Sequence, residues 1–150
     1  MLTSLTHLRI AEKIKFRIKD IDLDYLMAGS IAPDLGKLVN LSNNKDISKK
    51  ATHFAKEKDG ELHIDISDYY DKYLQPKKLI VRSDKTRSFY WGFYFHILAD
   101  KLWFEKYFKQ FKEQFQDRED FINLLTDGMY LLDFKYIEEN NKSNIFKYFL

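Results

Sequence analysis

Two titratable side chains interrupt an almost wholly apolar stretch of the chain, GFYFHILADKLWF at residues 92–104. His96 and Asp100 stand four residues apart, so on a helix they share one face, with Cβ atoms roughly 5–6 Å apart. Apolar side chains surround them on nearly every side, a pattern typical of a buried helix. A buried carboxylate is costly unless it is hydrogen-bonded, paired or bound to a metal. The sequence therefore predicts that other segments supply a partner for Asp100.

Three further residues of the same chemical types fall at inward or constrained positions. His7 lies on the apolar stripe of a first helix that Thr3 or Ser4 can cap. Asp34 directly follows a proline, which we expect to hold it on a stiff turn. His53 lies beside an aromatic residue. Together with the pair on the apolar helix, these residues are the candidates for one shared site.

Histidine and aspartate side chains in one site have the chemistry of a transition-metal centre. Imidazole and carboxylate donors suit zinc, and iron, manganese and nickel accept the same donors. His96 and Asp100 can hold one ion from adjacent helical turns, and two ligands from separate segments would complete a tetrahedral shell. An open coordination position would allow a metal-activated water to attack a substrate. The chain contains no cysteine, which excludes disulfides and thiolate zinc sites.

Each candidate also has a purely structural explanation. His96 and Asp100 can form a hydrogen-bonded pair in the core, His7 can be a partly buried capping residue, and Asp34 can cap a short helical turn. The fourth histidine, His63, falls on the outer side of a short alternating segment, which predicts a surface position. Spacing alone leaves these interpretations open.

Length and composition predict one soluble domain. The chain has 150 residues, which is enough for a single hydrophobic core, and aromatic residues make up 17% of it, which predicts a bulky interior. The 25 basic and 23 acidic residues are mixed along the sequence, so no basic tract indicates nucleic-acid binding. The amino terminus lacks the apolar core of a signal peptide, and no apolar run approaches the roughly 18 residues of a membrane span. We therefore expect a cytoplasmic protein without stable membrane insertion.

The apolar periodicity predicts an all-α, single-domain bundle of five or six helices over residues 1–150, with no convincing set of strands. A short second helix is expected to end at Gly29, and residues 36–50 are expected to form a polar surface loop. A long helix is predicted from about Ser83 towards Gln116, and Asp117 can cap the last major helix.

Four separate segments, in the order THLRIAEKI, GSIAPD, KKATHF and WGFYFHILAD, resemble the bacterial zinc-dependent phospholipase C family and its small uncharacterised relatives. The resemblance spans roughly residues 6 to 104. The family is all-helical and holds a cluster of zinc ions in a cleft. The resemblance therefore implies a phospholipase C-like fold and metal-dependent hydrolysis of phosphate esters, with a small phosphate ester or a phospholipid as substrate.

The family's metal ligands fall, by position, on the five candidates already described. An early histidine, an aspartate on a loop, a later histidine and a His-x-x-x-Asp pair on a long helix correspond to His7, Asp34, His53, His96 and Asp100. The resemblance implies that the last four residues hold one zinc ion and that Asp100 bridges to a second ion near His7. It also implies that Asp34 is the catalytic residue that orients the attacking water or acts as its base.

The chain departs from the family in two ways. Secreted phospholipases use a processed amino terminus as a ligand, whereas this chain begins Met1-Leu2, and they carry further His and Glu ligands, whereas no histidine follows residue 96. The resemblance thus implies one or two metal ions, with substitutes for the missing ligands that spacing does not select among Glu105, Asp120, Asp127 and Asp133. A non-catalytic, metal-stabilised helical binding domain and a shortened relative without a site are the alternatives. The sequence leaves the oligomeric state open.

Overall fold

The computed structural model describes residues 2–43, 49–58, 60–115 and 117–148. Most of these residues are helical, so the predicted all-α class is confirmed. In chain order the α-helices are α1 (Ser4–Ile14), α2 (Leu23–Asn43), α3 (Lys49–Thr52), α4 (Ile66–Tyr73), α5 (Pro76–Leu79), α6 (Asp84–Trp103), α7 (Lys109–Lys112) and α8 (Arg118–Glu139). Short 3₁₀ helices cover Lys15–Arg17 and Asn144–Tyr148, and a π-helical segment covers Phe104–Phe108.

Three helices begin at the capping residues that the sequence predicts. The side chains of Thr3, Ser83 and Asp117 each accept a backbone N–H bond from the first turn of α1, α6 and α8, respectively. These bonds satisfy amide groups that the helix itself leaves without partners. The predicted long helix is also confirmed, because the π-helical segment joins α6 directly to α7 and the helical run reaches Lys112.

A small hairpin follows α3. Strand β1 (Ala55–Lys58) pairs antiparallel with strand β2 (Glu61–Ile64), with Ala55 opposite Ile64. The turn between them uses Gly60 at φ +77°, a backbone conformation that glycine adopts without strain. This hairpin corresponds to the brief alternating segment in the sequence, and His63 lies on it in a half-buried position.

The second helix is much longer than the sequence predicts. The expected end at Gly29, the expected stiff turn at Asp34 and the expected loop at the start of residues 36–50 are wrong, because α2 continues to Asn43 with Pro33 inside it. Residues 44–48 of that predicted loop lie outside the described residues. Gly29 serves helix packing instead of helix termination: a Cβ there would lie 2.1 Å from the carbonyl oxygen of Phe89 on α6. A Cβ at Gly92 of α6 would likewise lie 2.1 Å from the carbonyl oxygen of Leu26. The two glycines allow the backbones of α2 and α6 to touch.

The core lies on both sides of this helix crossing. One cluster joins α1 to α2 and to the carboxyl-terminal 3₁₀ helix; its buried members are Leu5, Leu8, Ala11, Leu26, Met27 and Ile145. The other cluster joins α4 to α6 through Tyr69, Leu74 and Ile97, and Phe93 and Tyr94 of the GFYFHILADKLWF stretch pack against it. Helix α6 therefore passes through the centre of the molecule.

Candidate metal centre

All five residues proposed as metal ligands lie together in the interior. His7 comes from α1, Asp34 from α2, His53 from the turn after α3, and His96 and Asp100 from α6. The three histidines and Asp100 are more than nine-tenths buried, while the side chain of Asp34 is 13% exposed. The buried pair in the apolar stretch is therefore surrounded by polar partners from three other segments, as the sequence predicts.

The donor atoms of four of these residues are spaced like the corners of a zinc coordination shell. The Nε2 atom of His53 lies 3.3 Å from Nε2 of His96, 3.6 Å from Oδ1 of Asp34 and 3.6 Å from Oδ2 of Asp100. Nε2 of His96 lies 3.8 Å from Oδ2 of Asp100. Ligands at 2.0–2.1 Å from a tetrahedral zinc ion stand about 3.3 Å from one another. One donor atom from each of Asp34, His53 and His96 falls within 4.8 Å of the others, so these three can share one ion, with Oδ2 of Asp100 beside the two imidazole nitrogens.

A second group of donors shares the same carboxylate. Nε2 of His7 lies 3.4 Å from Oδ1 of Asp100, and its ring stacks on His96 with 3.6 Å between centroids. One donor atom from each of His7, His96 and Asp100 falls within 4.8 Å of the others. The backbone N–H of Leu2 also donates to Oδ1 of Asp100 at 3.0 Å. Asp100 therefore presents one oxygen to each group, which is the geometry of a bridging ligand.

Neighbouring groups orient two of the imidazole rings. His96 places Nδ1 2.7 Å from the carbonyl oxygen of Ser30, which can only accept, so the Nδ1–H donates and the Nε2 lone pair faces the centre. His53 places Nδ1 2.8 Å from the hydroxyl oxygen of Thr52. Bonds of this kind to the second ring nitrogen are typical of histidines that bind metals. Residue type and spacing do not single out Ser30 or Thr52 in the sequence, although Ser30 falls inside GSIAPD and Thr52 inside KKATHF.

Several buried polar atoms in the centre lack hydrogen-bond partners among the described residues. They are Nδ1 and Nε2 of His7 and Oδ1 of Asp34. Buried polar atoms in folded proteins are almost always paired, because an unpaired one loses its hydration without compensation. A cation in the first donor group would satisfy Oδ1 of Asp34, and a cation in the second group would satisfy Nε2 of His7.

The ionisation states of the centre also suit a cation. Burial, together with the nearby His7, lowers the pKa of His96 to about 4, so its imidazole is neutral near pH 7. Burial alone would raise the pKa of Asp34 and Asp100, but the surrounding histidines outweigh it and hold both pKa values below the usual range. Two ionised carboxylates in the interior match the charge of one divalent ion.

A strained residue turns the chain directly after His53. Phe54 has φ +52°, a left-handed conformation that is uncommon for a bulky side chain. Its carbonyl oxygen accepts the N–H of Asp65 at 2.9 Å, and its ring packs edge-on against Tyr69 and Phe93. These contacts hold the strained backbone in place. The aromatic neighbour of His53 therefore fixes the turn that points the histidine inward.

A cavity of about 640 Å³ opens beside Asp34, between the start of α1, the end of the π-helical segment and α8. Most of its lining is apolar, including Leu5, Phe108 and Met129. Asp133 also lines this cavity and is 9% exposed, whereas the other three carboxylates proposed as substitute ligands, Glu105, Asp120 and Asp127, are exposed. The structure thus selects Asp133 as the downstream carboxylate that shares a cavity with the centre.

Comparison with known proteins does not assign the chain to a family. No family model, curated protein or solved structure matches it significantly. Among the described residues, no helix combines the length and the apolar character needed to cross a membrane. The geometry of the centre and the four sequence segments are therefore what indicates a function for this chain.

Proposed function

We propose that this protein is a metal-dependent hydrolase of phosphate esters, similar to phospholipase C, with zinc as the metal. The observation that carries the proposal is the convergence of the Nε2 atoms of His53 and His96 with the carboxylates of Asp34 and Asp100 at 3.3–3.8 Å. The unpaired oxygen of Asp34 supports it, because a hydrogen-bonded core pair would leave no such atom. His7, on the other oxygen of Asp100, would hold a second ion.

The bound metal would supply a water of lowered pKa and positive charge beside the phosphoryl oxygens. The protein's own residues define where this water can react. His53, His96 and Asp100 are buried and orient the site, whereas Asp34 is partly exposed and borders the cavity. Asp34 is therefore the residue that can accept a proton from the attacking water while a substrate is bound.

The cavity beside Asp34 supports an ester with an apolar group. Its lining combines aliphatic and aromatic side chains with Thr3, Ser4 and Thr126, and none of the described residues that line it is basic. Such a surface buries an apolar alcohol or a diacylglycerol-like group more favourably than a second phosphate. We therefore place phospholipids and small apolar phosphate esters ahead of nucleotides as substrates.

A non-catalytic role is the second candidate, and the depth of the centre favours it. Four of the five ligands are more than nine-tenths buried, and they join α1 and α6 to the segment after α3. An ion held there would stabilise the fold as structural zinc sites do. In that case the protein would act by binding a partner, and the cavity would not admit a substrate to the metal.

Metal content and hydrolysis, measured on the same preparations, separate these functions. Elemental analysis of the purified protein should find zinc or another divalent transition metal, and its absence after reconstitution would refute both candidates.

Hydrolysis is then assayed with a chromogenic phosphodiester and with phosphatidylcholine. We expect Asp34→Asn to retain at least one ion and to lose activity by about 100-fold or more. The matched control is Asp127→Asn, an exposed aspartate outside the centre, which should keep full activity. Metal binding without hydrolysis in the native protein would favour the structural role.

A further inference from the structure

Helix α8 exposes apolar side chains around most of its circumference, and three of its four most exposed apolar residues lie on one side. Leu124, Leu131 and Phe134 are 61%, 70% and 66% exposed, and they lie on one side of the helix at spacings of seven and three residues. The opposite side of the same helix carries Asp133 and packs over the cavity. Exposed apolar side chains grouped in this way mark an interaction surface more often than a solvated face.

Glycine leaves a gap in the middle of this face. A Cβ at Gly128 would meet no atom within 4 Å, so the position opens outward. Gly128 lies three residues before Leu131. Phe134 lies three residues after Leu131, so the gap at Gly128 and the ring of Phe134 are equally far from Leu131 along the helix. Two charged residues are placed in the same way: Asp127 lies four residues before Leu131 and Lys135 four residues after it.

We propose that this face binds the same face of a second copy of the chain, with the two α8 helices antiparallel and Leu131 at the twofold axis. In this arrangement residues equally far from Leu131 on opposite sides lie at the same level. Asp127 of each copy is then level with Lys135 of the other, and Phe134 of each is level with Gly128 of the other. Both relations occur twice, as twofold symmetry requires. The proposal does not depend on the proposed function.

The charges favour the antiparallel pair over a parallel one. A parallel twofold pair would place Asp127 opposite Asp127 and Glu138 opposite Glu138, and like charges in such positions destabilise a helix pair. In the antiparallel pair, Leu124 of each copy is level with Glu138 of the other. The acidic Asp127 of each copy is level with the basic Lys135 of the other. The paired segments would be about 17 residues long, or roughly 25 Å. An interface of this size predicts a dimer that dissociates on dilution.

Charge reversal tests the pairing directly. Sedimentation velocity across micromolar protein concentrations should show a dimer of the native chain. Asp127→Lys and Lys135→Asp should each weaken the dimer about tenfold, because each creates two like-charge pairs. The double variant Asp127→Lys/Lys135→Asp should recover the native affinity. A native chain that stays monomeric, or a double variant as weak as the single ones, would overturn the proposal.

Cysteine crosslinking tests the register, and the absence of cysteine in the chain makes it simple. Oxidised Leu131→Cys should form a covalent dimer, because the two positions face each other at the axis. Leu124→Cys is the matched control: it lies on the same face with similar exposure, but the antiparallel pair separates its two copies by about 21 Å. Equal crosslinking at both positions would indicate a parallel pair and refute the proposal. An unchanged far-ultraviolet circular dichroism spectrum in every variant shows that the fold is intact.

Discussion

Replacing Gly92 by alanine tests how closely the two central helices approach, and through them the metal centre. The added Cβ would lie 2.1 Å from the carbonyl oxygen of Leu26 and 2.8 Å from the amide nitrogen of Ser30, both backbone atoms of α2. Ordinary contact begins at 3.4 Å. The two helix backbones would therefore have to separate by roughly 1 Å.

The expected cost follows from two opposing effects. Overpacking of this kind costs about 1–3 kcal/mol, and a clash with two backbone atoms belongs at the upper end of that range. Alanine improves helix propensity over glycine by about 1 kcal/mol. The net loss is about 2 kcal/mol, which for a chain of this size lowers the melting temperature by about 4–8 °C. The centre would also change, because the Ser30 carbonyl holds Nδ1 of His96 at 2.7 Å and a shift of 1 Å breaks that bond.

Thermal unfolding and metal titration of Gly92→Ala measure both effects. We expect a lower melting temperature and metal affinity reduced by about 10–100-fold, as for other losses of a group that orients a ligand. Gly128→Ala is the control, because a Cβ at this helix position meets no atom within 4 Å. This variant should have a higher melting temperature and unchanged metal binding. The control is measured on dilute protein, because Gly128 lies in the surface proposed to bind a second copy of the chain. A Gly92→Ala protein that melts no lower than the native chain and binds metal equally well would refute the close approach of α2 and α6.

Four further predictions concern the centre and its surroundings. Protein whose metal has been removed by a chelator should have a free energy of unfolding about 3 kcal/mol lower than protein in free metal at one hundred times Kd. Unfolding scans with and without the chelator measure this difference. Thr52→Ala removes the oxygen beside Nδ1 of His53 and should weaken metal binding about tenfold without moving the melting temperature of the metal-free protein, as calorimetric titration can show. Asp133→Asn should reduce hydrolysis, because Asp133 lines the cavity beside Asp34; equal activity would exclude Asp133 from substrate or metal contact. The pKa of Asp65 lies well below its usual value near 3.8, because Lys56, Ser67 and the N–H of Asp68 donate hydrogen bonds to the carboxylate. The ionised Asp65 therefore stabilises α4 above pH 3.8, and this stabilisation is lost as the pH falls below 3.8. In unfolding experiments, Asp65→Asn should make the free energy of unfolding less dependent on pH in this acid range.

The ligands could be predicted because their burial contradicts their polarity. A carboxylate four residues from a histidine in an apolar helix requires a partner, and that requirement is visible in the sequence of α6. The partners were candidates because of their inward or constrained positions, the resemblance of three other segments supported them, and the structure brings His7, Asp34 and His53 to the pair. That these residues bind zinc and hydrolyse an ester stays a prediction.

The orienting groups and the length of α2 could not be predicted from the same patterns. The carbonyl of Ser30 is a backbone group, and every residue has one, so only the three-dimensional placement of α2 against α6 makes it the acceptor for His96. Glycine is common just after the end of a helix, which predicts a helix end at Gly29, and this prediction is wrong. Its actual role depends on Phe89, which lies sixty residues away in the chain. Local propensity contains no information about such a contact.

These two failures have one physical cause, and it links the fold to the site. Gly29 and Gly92 let α2 and α6 touch along the same turns that carry Ser30, Asp34, His96 and Asp100. Without that contact, the Ser30 carbonyl would not reach His96, and Asp34 would not share His53 with Asp100. The close crossing of the helices is therefore part of the metal centre, and a change that widens it should reduce metal binding even where no ligand is altered.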